Sequence, residues 1–344
     1  MHRDCSNMKK AGFVLTIFLI ACMDSKETKL QRFLIQGNDM AAKQNYLEAK
    51  NYYSQALNLD SCFAEAWNNL GTVYYKESHF AEALQSYTEA LLCKPDYYEA
   101  LLNRSNTYYE LNDLATALQD LDRYDTHKPD TSVSAFSRAL IYTKMRAYDS
   151  ALRYFKKTLD LDSQNTEVLV NIGTVYYYKR QFDSAKITLN KALVLDPDEP
   201  NIYNTLAMVE TEQENYPEAL RWIDKALDIR PDDPYFLNNR GYLYLLINDL
   251  PKALSDIDRS ISEDPYNAWA YRNKGIYYLK TNDVPSAIRL LERAEKQDAL
   301  IDKLYLYLAE AHLKNRTRGK ACEYYHRALL KKEVPEAAEK KFCP

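Results

Sequence analysis

Residues Asn68–Glu77 read NNLGTVYYKE, and residues Val170–Lys179 read VNIGTVYYYK. The two stretches share Asn, Gly, Thr, Val and two tyrosines in one order, with Gly71 and Gly173 lying 102 residues apart. That distance is three times 34, and other residues test the period. Gly37, Gly71, Gly173, Gly241 and Gly275, five of the seven glycines, fall on one 34-residue grid. Pro95, Pro129, Pro197, Pro231 and Pro265 share a second grid position, and Pro217, Pro251 and Pro285 share a third. Three residue sets in register along one chain identify an internal repeat.

Placing Gly71 at position 8 frames a unit from Ala64 to Tyr97. It carries Trp67, Leu70, Gly71, Tyr74, Ala83, Tyr87, Ala90 and Pro95 at positions 4, 7, 8, 11, 20, 24, 27 and 32. This pattern resembles the tetratricopeptide repeat family, whose unit is a pair of antiparallel helices. The resemblance implies an all-α fold, an α-solenoid superhelix of nine tandem 34-residue helix-turn-helix repeats. Their frames are 30–63, 64–97, 98–131, 132–165, 166–199, 200–233, 234–267, 268–301 and 302–335, with a short C-terminal cap at 336–344. The first unit departs from the pattern at Gln36, Met40 and Ser61, as suits a terminal repeat.

The small residues predict the packing. Position 8 is small in all nine units, including Ser105, Ala139, Ala207 and Ala309, and position 20 is alanine in all nine, from Ala49 to Ala321. Facing small residues let two helix axes approach closely, with Tyr74, Tyr87, Phe155 and Tyr176 filling the flanks. The turns carry Asn112-Asp113, Asn248-Asp249 and Asn282-Asp283. Asparagine tolerates the left-handed conformation that ends one helix, and aspartate caps the next. Pro217, Pro251 and Pro285 then stand at the start of the second helix, where a missing N–H costs little.

The front of the chain reads differently. Met8-Lys9-Lys10 precedes the apolar run Ala11–Ala21, which is too short to cross a bilayer but suits the core of a secretory leader. It ends in Leu19-Ile20-Ala21-Cys22, which resembles the lipobox of bacterial lipoproteins. The resemblance implies a signal peptide at 1–21, lipid attachment at Cys22 and a lipidated tether at 22–29. Asp4 is unusual in a leader, which makes Met8 an alternative start. The location implied is the cell envelope, and Met23 rather than Asp after the lipid cysteine leans towards the outer membrane.

A net charge of −4 argues against nucleic acid, which needs a basic face. Thirty tyrosines with seven glycines suit helices packed by large side chains. The chain lacks GxGxxG, a phosphate loop, HExxH, GxSxG and CxxC, so neither an enzyme nor a cofactor or small-molecule substrate is expected. The expected work is binding of a protein partner, as an extended peptide or helix, in a concave groove lined by first helices. Position 6 there reads Asn69, Asn103, Ser137, Asn171, Thr205, Asn239 and Asn273. It resembles the asparagine ladder of the O-GlcNAc transferase superhelix, which grips peptide backbones; the same amides also serve local helix contacts in the repeat family.

Tyr75, Tyr109 and Tyr177 at position 12, with Tyr235, Tyr242 and Trp269, form an aromatic lining, and Arg272 is placed to receive an acidic group. Two other roles stay open: an assembly lipoprotein for a pilus, secretion or outer-membrane complex that docks through array edges, and a cell-wall glycan binder. Cys322 and His326 are four apart, a spacing a metal can use, but His312 falls at a core position and no metal site is expected. Cys322 and Cys343 are a candidate disulfide, whereas Cys62 and Cys93, at positions 33 and 30 of successive units, are expected to lie too far apart to bridge. Cys22→Ser is expected to abolish palmitate incorporation and release the chain from membranes; a variant that still takes up the label contradicts the lipobox.

Overall fold

The computed structural model describes residues 25–129, 131–333 and 339–343. The expected leader, Cys22 and the junction at 334–338 lie outside them. Contacts divide the chain into two units, one ending at Asp162 and one beginning at Ser163. The first unit holds α1 (Lys26–Ala42), α2 (Tyr46–Leu59), α3 (Ala64–Lys76), α4 (Phe80–Cys93), α5 (Tyr98–Glu110), α6 (Leu114–His127), α7 (Ser132–Lys144) and α8 (Tyr148–Leu161). The second holds α9 (Thr166–Tyr178), α10 (Phe182–Leu195), α11 (Pro200–Glu212), α12 (Tyr216–Ile229), α13 (Pro234–Leu246) and α14 (Leu250–Glu263). It continues with α15 (Ala268–Lys280), α16 (Val284–Gln297), α17 (Leu304–Lys314), α18 (Arg318–Leu330) and α19 (Glu339–Phe342). Among the described residues there is no strand, and no helix is long and apolar enough to cross a membrane.

Each odd-numbered helix up to α17 packs on its successor, and within each unit the pairs stack in chain order, as in a solenoid. The crossing rests on the small residues. All nine alanines at position 20 are fully buried. A Cβ on Gly71 would come within 2.8 Å of the Tyr87 ring, and one on Gly275 within 2.7 Å of Leu291 and 3.4 Å of the Ala287 carbonyl. Position 8 is therefore small chiefly to seat the large side chain at position 24, sixteen residues later.

The turns follow one geometry. Gln44, Ser78, Asn112, Arg146, Arg180, Glu214, Asn248, Asn282 and Arg316, spaced by 34, all have φ between 58° and 65°. Only three are asparagine, so the tertiary crossing imposes the left-handed turn even where the residue resists it. Asp113, Asp249 and Asp283 cap the following helix through Thr116, Lys252 and Ser286 N–H groups.

Position 7 is arginine in three units, at Arg104, Arg138 and Arg240, and these arginines hold charge pairs. Arg104 donates to both Asp120 oxygens at 2.7 and 2.8 Å, with Asp120 only 3% exposed. Arg240 holds Asp256 in the same two-pronged way, and Arg138 holds Asp122 and Asp125. The hydrogen bonds from Arg104 to Asp120 raise the guanidinium pKa despite burial.

The structure bears on three expectations. Residues 26–29, assigned to the tether, are helical, because Ser25 caps α1 through the Thr28 N–H. Cys62 and Cys93 are bonded, with Cα atoms 5.2 Å apart. Cys62 stands just before α3 and Cys93 ends α4, so both lie at the open end of one antiparallel hairpin rather than a repeat apart. The tail is anchored: Phe342 is buried, stacked on Tyr325 at 5.0 Å, and Cys322 is bonded to Cys343, the pair the sequence offered as a candidate disulfide. Ser78→Gly, which relieves a left-handed residue without removing a side-chain bond, is expected to stabilise the protein by about 1 kcal/mol in urea unfolding. Asp120→Ala, which strands the Arg104 charge, is expected to destabilise by about 3 kcal/mol.

Candidate functional site

In each unit the first helices pack side by side, α1 to α3 to α5 to α7 and α9 to α11 to α13 to α15 to α17. This brings position 6 of one repeat beside position 5 of the repeat before it, 35 residues earlier. Asn103 Nδ2 donates to Asn68 Oδ1 at 3.0 Å, Asn239 to Asn204 at 2.8 Å, and Asn273 to Asn238 at 2.7 Å. Asn68 in turn donates to Asn69, and Asn69 to Asn38 Oδ1 at 2.8 Å. Asn171 turns back to the Glu167 carbonyl of its own helix. Three of the ladder amides thus donate to a position-5 asparagine of the preceding repeat, and Asn69 donates to Asn38, along the stack. The pairing partners at position 5 were missed, although the Asn–Asn spacing of 35 residues is readable at 68/103, 204/239 and 238/273.

In the second unit the lining residues meet each other. Arg272 is 5% exposed and Asn273 is fully buried. The Arg272 guanidinium donates to Asn273 Oδ1 at 2.8 and 3.0 Å and to the Asp302 carbonyl at 2.9 Å. Its charge lies 4.7 Å from the Trp269 ring centre and 5.0 Å from that of Tyr242. Burial raises the Tyr307 pKa, and the neighbouring Tyr242 raises it further. Burial also raises Tyr177 strongly, and the charges of Glu212, Asp302 and Arg272 all reach it. Arg272 and Asn273, expected to meet a ligand, are instead enclosed: the guanidinium donates three hydrogen bonds to protein oxygens and lies beside two aromatic rings. Tyr235 remains exposed and bonds Asp264.

The first unit is more open. Tyr75 bonds Glu110 at 3.3 Å and is pushed up to about 12, mainly by burial and then by that carboxylate. Lys144 sits 4.4 Å from the Tyr109 ring centre and donates to the Tyr109 carbonyl. Between α1, α2 and α3 lies a cavity of about 310 Å³ lined by Asn38, Ala41, Tyr46, Tyr53, Asn69, Thr72, Val73 and Lys76. The Tyr53 ring covers Gly37, where a Cβ would come within 2.4 Å of it, and this aims its hydroxyl at Asn38 Oδ1, 2.8 Å away. Burial pushes Tyr53 up to about 12, so it stays a neutral donor at physiological pH. Among the described residues, neither the Asn38 Nδ2 group nor the exposed Lys76 ammonium has a protein partner. Neutral and charged donors beside Val73 and Ala41 suit a ligand with oxygen acceptors and an apolar side chain, as a peptide offers.

His312 does not join Cys322 and His326, in keeping with its core position in the repeat. His312 is buried, stacked on Tyr324 at 5.4 Å and bonded to Thr317.

Family models described as tetratricopeptide repeat match residues 64–97, 142–209, 201–230, 222–255 and 272–339, together more than half of the chain. A chain of the APC/C Cut9–Hcn1 hetero-tetramer superposes with a TM-score of 0.62 at 17% identity, over 93% of this chain and 63% of that one. Pseudomonas aeruginosa pilF superposes with a TM-score of 0.53 at 19% identity, over 62% of this chain and 97% of pilF. At these identities the likeness is one of fold. Curated protein sequences yielded no match. Asn273→Ala, which leaves Arg272 and Asn238 short of a buried partner, is expected to cost about 2–3 kcal/mol in chemical unfolding. Asn171→Ala is expected to cost about 0.5 kcal/mol, its bond being local and solvent-facing.

Proposed function

Since the chain belongs to the tetratricopeptide repeat family, whose members are generally non-enzymatic binding scaffolds, we propose that it is a lipid-anchored scaffold of the bacterial cell envelope. It holds a protein partner by an extended segment or helix laid against first helices. The observation that carries this reading is the cavity between α1, α2 and α3, where Asn38 and Lys76 keep donors available beside an apolar wall. The envelope location rests on the Leu19–Cys22 motif in the sequence alone.

The magnitudes favour a short anchored segment. A solvent-facing hydrogen bond contributes about 1 kcal/mol net, so two or three donors give weak binding by themselves. Burying one medium apolar side chain against Val73, Ala41 and Tyr46 adds roughly 1.5–3 kcal/mol. Together these suit a partner recognised at one side chain and the adjoining backbone. The enclosed cluster around Arg272 then serves as the rigid part of the array.

The test is a crosslinked pull-down from detergent-solubilised membranes, read by mass spectrometry. Wild type is compared with Asn38→Ala/Lys76→Ala and with Tyr235→Ala, each checked for helicity. Loss of a captured protein in the Asn38/Lys76 variant alone is the expected result. Capture unchanged in that variant removes the cavity as the binding site.

A further inference from the structure

A second site stands at the C-terminal end, independent of the groove. Helix α18 carries Cys322 and His326 four residues apart, and the last turn carries Glu339 and Cys343 four residues apart. Residues at this spacing share one helix face. The Cys343 N–H donates to the Glu339 carbonyl at 2.8 Å, so the helical turn extends to the cysteine. The two faces meet around one imidazole. His326 Nε2 lies 3.3 Å from Glu339 Oε1 and 3.8 Å from Cys343 Sγ, and its Nδ1 lies 4.0 Å from Cys322 Sγ. The sulfur atoms are joined in a disulfide, with Cα atoms 4.6 Å apart.

We infer that in the dithiol form of the chain Cys322, His326, Glu339 and Cys343 bind a zinc ion. Two thiolates, an imidazole and a carboxylate form a donor set for tetrahedral zinc. Ligand bonds of about 2.0–2.3 Å place neighbouring tetrahedral donors roughly 3.3–3.8 Å apart. The separations from His326 to Glu339 and to Cys343 already fall there. Cys322 Sγ, which lies beside Nδ1, must move towards the Nε2 side as the two sulfurs part, and reduction allows this.

A further observation keeps the site together without the S–S bond. Phe342, next to Cys343, is buried on Tyr325 with ring centres 5.0 Å apart, so the last turn stays docked by packing. The His326 and Glu339 side chains are 52% and 58% exposed, which leaves an ion a route in. Reduction adds two electrons and two protons to the disulfide. With a trialkylphosphine as the donor, the phosphine becomes its oxide, taking oxygen from water. Zinc binding then releases the two thiol protons. Disulfide and metal are alternative occupants of the same sulfurs, and the redox poise of the surroundings selects between them.

The test uses the full chain with Cys62→Ser and Cys93→Ser, reduced by a phosphine without oxygen and titrated with cobalt(II). One cobalt per chain is expected, with the visible bands of tetrahedral cobalt and thiolate-to-cobalt charge transfer, bleached by zinc. The oxidised chain is expected to give neither band. Cys343→Ser should weaken binding by about tenfold or more and reduce the charge-transfer band, and Glu339→Gln should weaken it while keeping that band. Far-ultraviolet circular dichroism checks that each variant remains helical. A reduced chain without tetrahedral cobalt bands, or the same bands and affinity in folded Cys343→Ser, overturns the site.

Discussion

Everything in this chain depends on how closely two antiparallel helices can cross. Position 20 is an alanine with no exposed surface in every repeat, and position 8 is so small that the bulky side chain at position 24 lies directly on the backbone. That approach forces a tight turn, and the turn forces one residue per repeat into the left-handed region, whether it is Asn112 or Arg146. Residues poorly suited to φ near 60° persist because the buried crossing outweighs a local cost of roughly 1–2 kcal/mol. Packing sets the geometry, and propensity follows.

The same crossing decides where polar groups go. Side-by-side first helices bring amides 35 residues apart into contact, so Asn273, Asn238, Asn239 and Asn204 form a linked series in the second unit. Arg272 closes over that series and is held between Trp269 and Tyr242. In the first unit Asn68, Asn69 and Asn38 link in a similar way, yet Asn38 keeps a donor facing an open cavity. One motif therefore acts as structure in one place and lines a cavity in another.

The repeat period, the helix pairs, the prolines and the aspartate caps were all legible, because each depends on residues within one 34-residue unit. What the sequence concealed depends on neighbours in space. Arg272 read as an open cation because its partners, Asp302 and the Tyr242 ring, come from the adjoining repeats. Cys62 and Cys93 read as distant because repeat positions measure distance along the stack, whereas a hairpin brings its two ends back together. The buried Arg104–Asp120 pair was readable in principle, since both residues replace others at fixed positions sixteen residues apart. Asn38 escaped notice because it belongs to position 9 of a divergent first repeat.

The central claim is that ladder asparagines at position 6 are bonded to position-5 asparagines of the preceding repeat, along the stack. A double-mutant cycle between Asn238 and Asn273, measured by urea unfolding, tests it most directly. The account predicts that Asn238→Ala and Asn273→Ala together cost less than the sum of the two single changes, with a coupling of about 1–2 kcal/mol. Additive costs, within about 0.3 kcal/mol, would mean that the two amides do not support each other and would contradict the account.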